Sequence, residues 1–526
     1  MRKPLILVAL IASAFSSFAS GTKDSLANKY ASTISVDDLT RHLTIIASDE
    51  FEGRETGKPG QKKAAEYIKS QFIAFGLEPG NKNNYFQKYP VIMQDPAGVE
   101  IMVNGNKYKF LKDFYYFPGF GDTVMHLNEI TFLGYGISDK KYDDYEGFDA
   151  KGKALVVLNG EPKNSKSQSY VTGNKTVSDW TVNNRMKSRI ASENGASAMF
   201  VVVEDLMANL KTVKFFIENP TMKLDNNKPA SSKRIPVFYI SKKMAEDLFP
   251  NVDNENRMTR YEKQISKNGK PKNETLNSNV TLSIQRDSEK ISSENVLGYV
   301  EGSDLKDELL VITAHYDHLG TDGEKIYNGA DDDGSGTVAV MEIAEAFARA
   351  KLEGNGPRRS ILFMAVSGEE KGLFGSQHYV ENPVFPLSNT IANLNIDMVG
   401  RVDKKHKDNP NYVYIIGSDK LSTELHKINE NANSAHTNLI FDYTYNKPND
   451  PNRFYYRSDH YNFAKNNIPV IFFFNGTHDD YHKSTDTVDK INFEALKMRT
   501  KLVFYTAWEL VNRDERIKVD VVSDFK

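Results

Sequence analysis

The feature of this chain that most restricts its fold is a set of four near-continuous apolar runs, each followed by a side chain that can carry charge. The runs are Leu309 to Ala314, Ser360 to Val366, Thr390 to Ile396 and Ile468 to Phe474. Runs of this kind are what strands buried on both faces require. Strands and helices alternate from about Asn295 onward, which predicts an α/β fold with a mostly parallel central sheet covered by helices. His315 and Asp317 follow the first run, Glu369 and Glu370 the second, Asp397 the third and, after a loop, His482 the fourth. Open α/β sheets bind ligands outside the carboxyl ends of their strands. Such a sheet therefore gathers imidazoles and carboxylates at one edge.

A further segment, Gly329-Ala-Asp-Asp-Asp-Gly-Ser-Gly, follows the first strand and begins a helix. Acidic residues suit a helix N-terminus electrostatically, so the segment reads either as a capping run or as the source of one more carboxylate. Two His and three carboxylates are enough for two zinc ions if one carboxylate bridges. Each ion then has one terminal His, one terminal carboxylate and a share of the bridge, with a position left open for water. Metal ions about 3.5–4 Å apart activate water and polarise a carbonyl together. Asp397 is the hardest of the set to dismiss, because a buried carboxylate must be paired or coordinate a metal. The chain has no cysteine, so disulfides are excluded and any metal site must use His, Asp and Glu.

At 526 residues the chain is long enough for roughly two to four domains. Apolar residues make up 39% and charged residues 26%, which permits a sizeable core. A net charge of −3 gives no electrostatic basis for a nucleic-acid partner. Arg2, Lys3, the apolar run Leu5 to Phe15 and the small residues up to Ala19 read as an export signal cleaved after Ala19. That run is shorter than the roughly 20 residues needed to span a bilayer. The expectation is export, periplasmic or extracellular, with no stable membrane insertion after signal cleavage.

From Val36 to about Pro90 the text is helical. Asp37 and Asp38 cap a first helix carrying Leu39, Leu43 and Ile46. A second runs from Gln61 to Phe75, with Ala64, Ala65, Ile68 and Phe72 on one face, and stops at Gly76. Between Asp95 and Asp287 the pattern changes to short strands: Ile130–Leu133, Ala154–Leu158, Ala198–Val203 and Ile235–Ile240, with a helix near Arg185 to Asn194. The polar, Lys/Asn-rich stretch Asn251 to Asn279 reads as a surface excursion outside the core.

With these residues in hand, the chain resembles the co-catalytic dizinc aminopeptidases, relatives of glutamate carboxypeptidase and the transferrin receptor. The early segment His42-Leu-Thr-Ile-Ile-Ala-Ser-Asp-Glu-Phe-Glu-Gly-Arg-Glu-Thr-Gly is similar to the N-terminal portion of members that carry an inserted domain. Tyr135-Gly-Ile, Tyr142-Asp-Asp-Tyr and Lys151-Gly-Lys-Ala-Leu-Val-Val-Leu resemble that insertion, the protease-associated domain. Ser458-Asp-His-Tyr-Asn-Phe and Tyr481-His-Lys-Ser-Thr-Asp-Thr resemble the closing motifs. After the signal peptide read at 1–19, the resemblance implies a peptidase domain of zinc exopeptidase type in two parts (20–95 and 291–526), and an inserted β-rich protease-associated domain at 96–290.

The resemblance also implies roles. Asp332 matches the bridging ligand of two zinc ions, His315 and Asp397 the terminal ligands of one, and Glu370 and His482 those of the other. Glu369 matches the general base, Asp317 a carboxylate that orients His315, and Tyr481 a phenol that hydrogen-bonds the oxyanion. The bond Asp332–Asp333 is expected to be cis. His318, His460 and His478 match no ligand position and read as structural or substrate-side residues. The implied activity is aminopeptidase action on peptides with a free N-terminus. Alternatives are a dipeptidase or carboxypeptidase on the same scaffold, where Arg401 or Arg457 would bind a carboxylate, or a non-catalytic binding protein of the transferrin-receptor kind, in which ligands would be eroded.

Overall fold

The computed structural model describes residues 25–117, 120–226, 234–249 and 255–522. The expected export signal at 1–19 lies outside them. The chain divides into two compact units, the first built from residues up to Val91, Lys223–Asn226 and 291 onward, the second from Ile92–Met222 and 227–290.

The first unit holds a mixed sheet. Besides the two-residue strand Glu78–Pro79, its strands, in chain order, are β1 (Phe86–Gln94), β2 (Thr221–Leu224), β3 (Ser288–Val300), β4 (Leu305–His315), β5 (Arg359–Val366), β6 (Thr390–Ile396), β7 (Tyr412–Ile416), β8 (Ile440–Asp442) and β9 (Val470–Phe474). Their spatial order is β8-β7-β9-β6-β4-β5-β3-β1-β2. The central strands β5, β4, β6 and β9 are mutually parallel, whereas β3 joins β5 and β7 joins β9 antiparallel. The four central strands contain the four apolar runs.

The reason those runs lack alternation lies in the two faces. Leu310, Ile312 and Ala314 of β4 join one core cluster, and Leu309 and Val311 join the other. Ile361, Phe363 and Ala365 of β5 face the first cluster, and Leu362, Met364 and Val366 the second. Every residue of β5, β6 and β9 is buried. The helices that cover the first face include α1 (Val36–Ile46), α2 (Pro59–Phe75), α3 (Gly336–Leu352) and α4 (Phe493–Asn512), through residues such as Leu43, Ile68, Phe347 and Phe504. α2 buries Ala64, Ala65, Ile68 and Phe72 and ends at Gly76 in left-handed conformation, as its sequence requires. α1 differs in its cap. Ser35, with extended backbone, accepts the Asp38 amide, and Asp37 and Asp38 sit inside the first turn. A serine hydroxyl just outside the helix reaches that amide, while a carboxylate in the first turn favours the dipole without capping it.

The second unit is built on an eight-stranded sheet in which strands Thr123–Leu133, Ala154–Leu158, Ala198–Val203 and Val237–Ser241 run parallel, next to antiparallel neighbours. Here the reading of Asn251 to Asn279 as a surface excursion is corrected. Arg257–Asn268 is a helix burying Met258, Tyr261 and Ile265. Residues 273–279 open the strand Asn273–Gln285, which pairs with Thr123–Leu133 over most of its length. The segment is polar by count, but its few apolar residues fall on one face of each element.

Lys187, on the helix Asn184–Glu193, is fully buried in this unit, its ammonium donating to the carbonyls of Leu158 at 3.0 Å and Gly160 at 2.6 Å. Burial pushes its pKa down to about 7, against the pull of Asp144 and Glu161. The unfolded chain holds that proton up to the ordinary lysine value near 10.5. Unfolding therefore takes up a proton between about pH 7 and 10.5, and stability rises with pH across that window. Relative to Lys187→Met, which does not titrate, the wild-type protein should gain on the order of a few kcal/mol from pH 7 to 10.5. Urea midpoints of the two proteins measured across the window check this. A constant difference between them contradicts it.

Among the described residues, no helix is long and apolar enough to cross a membrane.

Candidate metal centre

The carboxyl ends of the parallel strands deliver the polar residues to one place. His315 closes β4, Asp397 follows β6, and Glu369 and Glu370 follow β5. The aspartate run after β4 forms a tight turn entering α3, with the Asp332–Asp333 peptide bond cis as the resemblance implies.

The three aspartates of that turn do different work. Asp331 accepts the Gly400 amide at 2.7 Å and is held by Asn475 and His478 at 3.1 Å each. Asp333 accepts the amides of Gly336 at 2.8 Å, Met398 at 3.0 Å and His315 at 3.2 Å. Both are consumed by structural hydrogen bonds, Asp331 by side chains and one amide, Asp333 by amides alone, one of which caps the helix that follows. Asp332 alone points into the site. Its Oδ1 lies 3.3 Å from His315 Nε2 and its Oδ2 3.1 Å from His482 Nε2. The ligand atoms of His315, Asp332 and Asp397 lie within 4.8 Å of one another, with His315 Nε2 3.7 Å from Asp397 Oδ1. On the other side of Asp332, His482 Nε2 is 3.4 Å from Glu370 Oε2. The five expected ligands therefore converge, with Asp332 facing both groups.

Several neighbours orient this set. His315 Nδ1 donates to the backbone carbonyl of Asp317 at 3.0 Å, while the Asp317 carboxylate stays 3.8 Å away. The Asp317 carboxylate instead accepts Thr56 Oγ1 at 2.6 Å and the Glu369 amide at 3.2 Å. It thus places the loop that carries Glu369, and the tautomer of His315 is fixed by a carbonyl. Ser458 Oγ donates to Asp397 Oδ2 at 2.6 Å. Asp486 Oδ2 accepts the amides of Asp331 at 3.0 Å and Asp332 at 3.1 Å. Arg54, fully buried, donates to the carbonyls of Tyr316 at 2.7 Å and Gly329 at 2.9 Å, tying the loop after β4 to the aspartate turn.

The electrostatics follow from crowding carboxylates where water is excluded. Burial disfavours a charged imidazole at His315, but Glu369, Asp332 and Asp397 outweigh it and raise its pKa well above the usual value. Burial would raise Asp332, but His315 and His482 hold it well below the carboxylate range. Glu369 is raised well above its ordinary value by burial and by Glu370, Asp397 and Asp459, against His315.

Glu369 and Tyr481 line a cavity of about 30 Å³ with His315, Asp332, Asp397 and His482, walled by Met398, Phe454, Phe472 and Phe474. Tyr481 stacks on His482 at 3.9 Å between ring centroids and accepts Arg457 at 3.2 Å. Arg401 is engaged elsewhere, 2.9 Å from Asp480 and 3.6 Å from Asp486. His460 is a buried neutral side chain stacked on Phe472 at 4.8 Å, its pKa lowered to about 3 by burial. His478 holds Asp331, as a structural residue does. His318 lies closer to the expected ligands than His460 and His478 do. Its buried ring has Nδ1 2.8 Å from Glu370 Oε1.

Asp332 Oδ2 and Glu370 Oε1 are buried without a hydrogen-bond partner. Unpaired buried carboxylate oxygens beside imidazole nitrogens fit cations, and an all N/O donor set fits divalent ones. Sequence reasoning missed Arg54, Thr56 and Asp486. All three lie inside motifs already singled out, but nothing in their own residue types told what they would touch.

Residues 295–507 match the sequence model of peptidase family M28. A probable zinc metalloprotease of Pyrenophora tritici-repentis is 37% identical over 123 residues, 22% of this chain and 24% of that protein. Aminopeptidase YwaD of Bacillus subtilis is 26% identical over 235 residues, 43% of this chain and 47% of that protein. The chain thus spans between about a quarter and a half of the length of these curated relatives. Among solved structures, the aminopeptidase from Aneurinibacillus sp. strain AM-1 has a TM-score of 0.55 at 17% identity, covering 94% of this chain and 99% of that one, a likeness of fold.

Proposed function

From the match of residues 295–507 to the sequence model of peptidase family M28, we propose that the chain is an exported zinc-dependent aminopeptidase that removes residues from the free N-termini of peptides. The observation that carries this reading is the convergence of His315, Asp332, Glu370 and Asp397, with the more exposed His482, around one shared carboxylate. Asp332 would be shared by both zinc ions, with His315 and Asp397 holding the first and Glu370 and His482 the second. The intact set speaks against a non-catalytic binding protein. The second unit is the protease-associated insertion of the family.

When bound, the zinc pair supplies Lewis acidity toward the scissile carbonyl and lowers the pKa of water at the site. Glu369, placed by its amide bond to Asp317, takes the proton of the attacking water and passes it to the leaving amine. Tyr481, already lining the same cavity, donates its hydroxyl to the developing oxyanion. Asp397, held by Ser458, and His315, held by the Asp317 carbonyl, stay fixed through the cycle, so the site does not reorganise as charge moves. Met398, Phe454, Phe472 and Phe474 exclude water and favour an apolar N-terminal side chain.

A dipeptidase or carboxypeptidase reading survives through one observation. Arg457 lines the cavity, where it could meet a substrate carboxylate. Rates on aminoacyl anilides and on N-blocked dipeptides separate the two. The proposal expects turnover of leucyl or phenylalanyl anilides and none of the blocked dipeptides. The opposite pattern overturns the aminopeptidase assignment while leaving the zinc chemistry intact.

A further inference from the structure

His318 has no part in the mechanism above, yet its ring is fully buried at the second seat. Its Nδ1 lies 2.8 Å from Glu370 Oε1 and 3.9 Å from Asp332 Oδ2. All three of these atoms, and His318 Nε2 as well, are buried without a hydrogen-bond partner. Nδ1 and Oε1 are close enough for a hydrogen bond but are not aligned for one. Two unpaired carboxylate oxygens and an unpaired imidazole nitrogen within 4.8 Å of one another share the partner that each lacks. The donors are those a divalent cation takes.

The ring is also held there. The His318 amide donates to the Arg54 carbonyl at 3.2 Å. Gly329, with φ +56°, packs so tightly that a Cβ on it would stand 2.5 Å from the His318 Cγ and Cδ2. Only glycine lets the turn before Asp332 close over this ring.

We propose that His318 is a further ligand of the second cation, alongside Asp332, Glu370 and His482. The inference rests on the two-zinc reading above. Glu370 turns Oε1 to His318 and Oε2 to His482, and the two imidazoles are edge-on with centroids 6.1 Å apart. The two seats are then unequal. The first has three protein residues. The second has four, one of them the half-exposed His482 and one the fully buried His318. The second cation is therefore the harder to strip and outlasts loss of His482.

The test is zinc competition titration against a chromophoric chelator for the wild-type, His318→Ala and His318→Asn proteins, joined to a crystal structure of the zinc-replete wild type. Asparagine keeps a donor near the Nδ1 position but makes a poor zinc ligand, so it separates ligation from hydrogen bonding. Even partners one step removed from a metal typically change its affinity by about 10–100-fold. Both variants should weaken one of the two ions at least ten-fold and leave the other within a few-fold. In the wild-type crystal, Nδ1 should stand about 2.0–2.1 Å from the metal. Wild-type affinities in the Ala variant, full rescue by Asn, or an Nδ1–metal distance beyond about 3 Å overturns the proposal. The crystal measurement needs no variant to fold. A wild-type protein that binds no zinc sinks the functional reading itself, whereas two bound ions with indifferent His318 variants sink only this inference.

Discussion

Glu369→Gln is expected to retain both zinc ions and lose about 10²–10⁴-fold in kcat, the usual contribution of a positioned general base. That range corresponds to about 3–5 kcal/mol of transition-state stabilisation. The glutamine keeps the size and the backbone amide bond to Asp317, which fixes the loop. It gives up only the carboxylate that takes the proton. Glu369 lines the cavity with His315, Asp332 and Asp397 but is absent from both groups of converging ligand atoms, so zinc content should be unchanged and KM should move little. Steady-state kinetics on a leucyl anilide with metal analysis of the same sample checks the prediction. Near wild-type turnover in a zinc-replete sample removes the role from Glu369.

Asp332→Asn is expected to be the most damaging change to metal binding. The two oxygens of Asp332 face different imidazoles, Oδ1 that of His315 at 3.3 Å and Oδ2 that of His482 at 3.1 Å. An amide offers one neutral oxygen and one N–H₂ group, which cannot face a cation. Both seats lose a shared anionic ligand at once. Their affinities should fall by more than the roughly 10–100-fold typical of a lost outer partner. Activity should become undetectable at ordinary zinc concentrations. Asp331 and Asp333 carry the hydrogen bonds of the turn, so the fold should persist. Equilibrium dialysis with zinc, alongside a melting curve, separates metal loss from unfolding. Two ions bound as tightly as in the wild type contradict the bridging role.

The sheet and most of the site were legible because burial on both faces leaves a plain mark. Ile361 to Val366 cannot be apolar throughout unless each face is covered, and a charged pair directly after such a run has only the strand end to occupy. The helix Arg257–Asn268 and the strand after it were lost because polar residues outnumber apolar ones there. The signal was present in position: Met258, Tyr261 and Ile265 share a helical face, Asn256 caps one end and Gly269 the other, while Val280, Leu282 and Ile284 alternate along the strand. Periodicity outranks composition in such segments.

The remaining gaps are non-local. Arg54 reaches carbonyls more than 260 positions away, and Asp486 receives amides about 155 positions earlier. No window of sequence contains those contacts. His318 sits three residues from His315, yet whether its ring turns inward depends on Gly329 closing over it. Asp317 was placed beside the right partners, but the contact to His315 runs through its carbonyl, a distinction that side-chain identity does not encode.

Anomalous scattering at the zinc edge from crystals of the zinc-replete protein tests the central claim most directly. The account predicts two peaks about 3.5–4 Å apart, one between His315 and Asp397, one beside Glu370 and His482, with Asp332 reaching both. A single peak, or peaks away from Asp332, contradicts it.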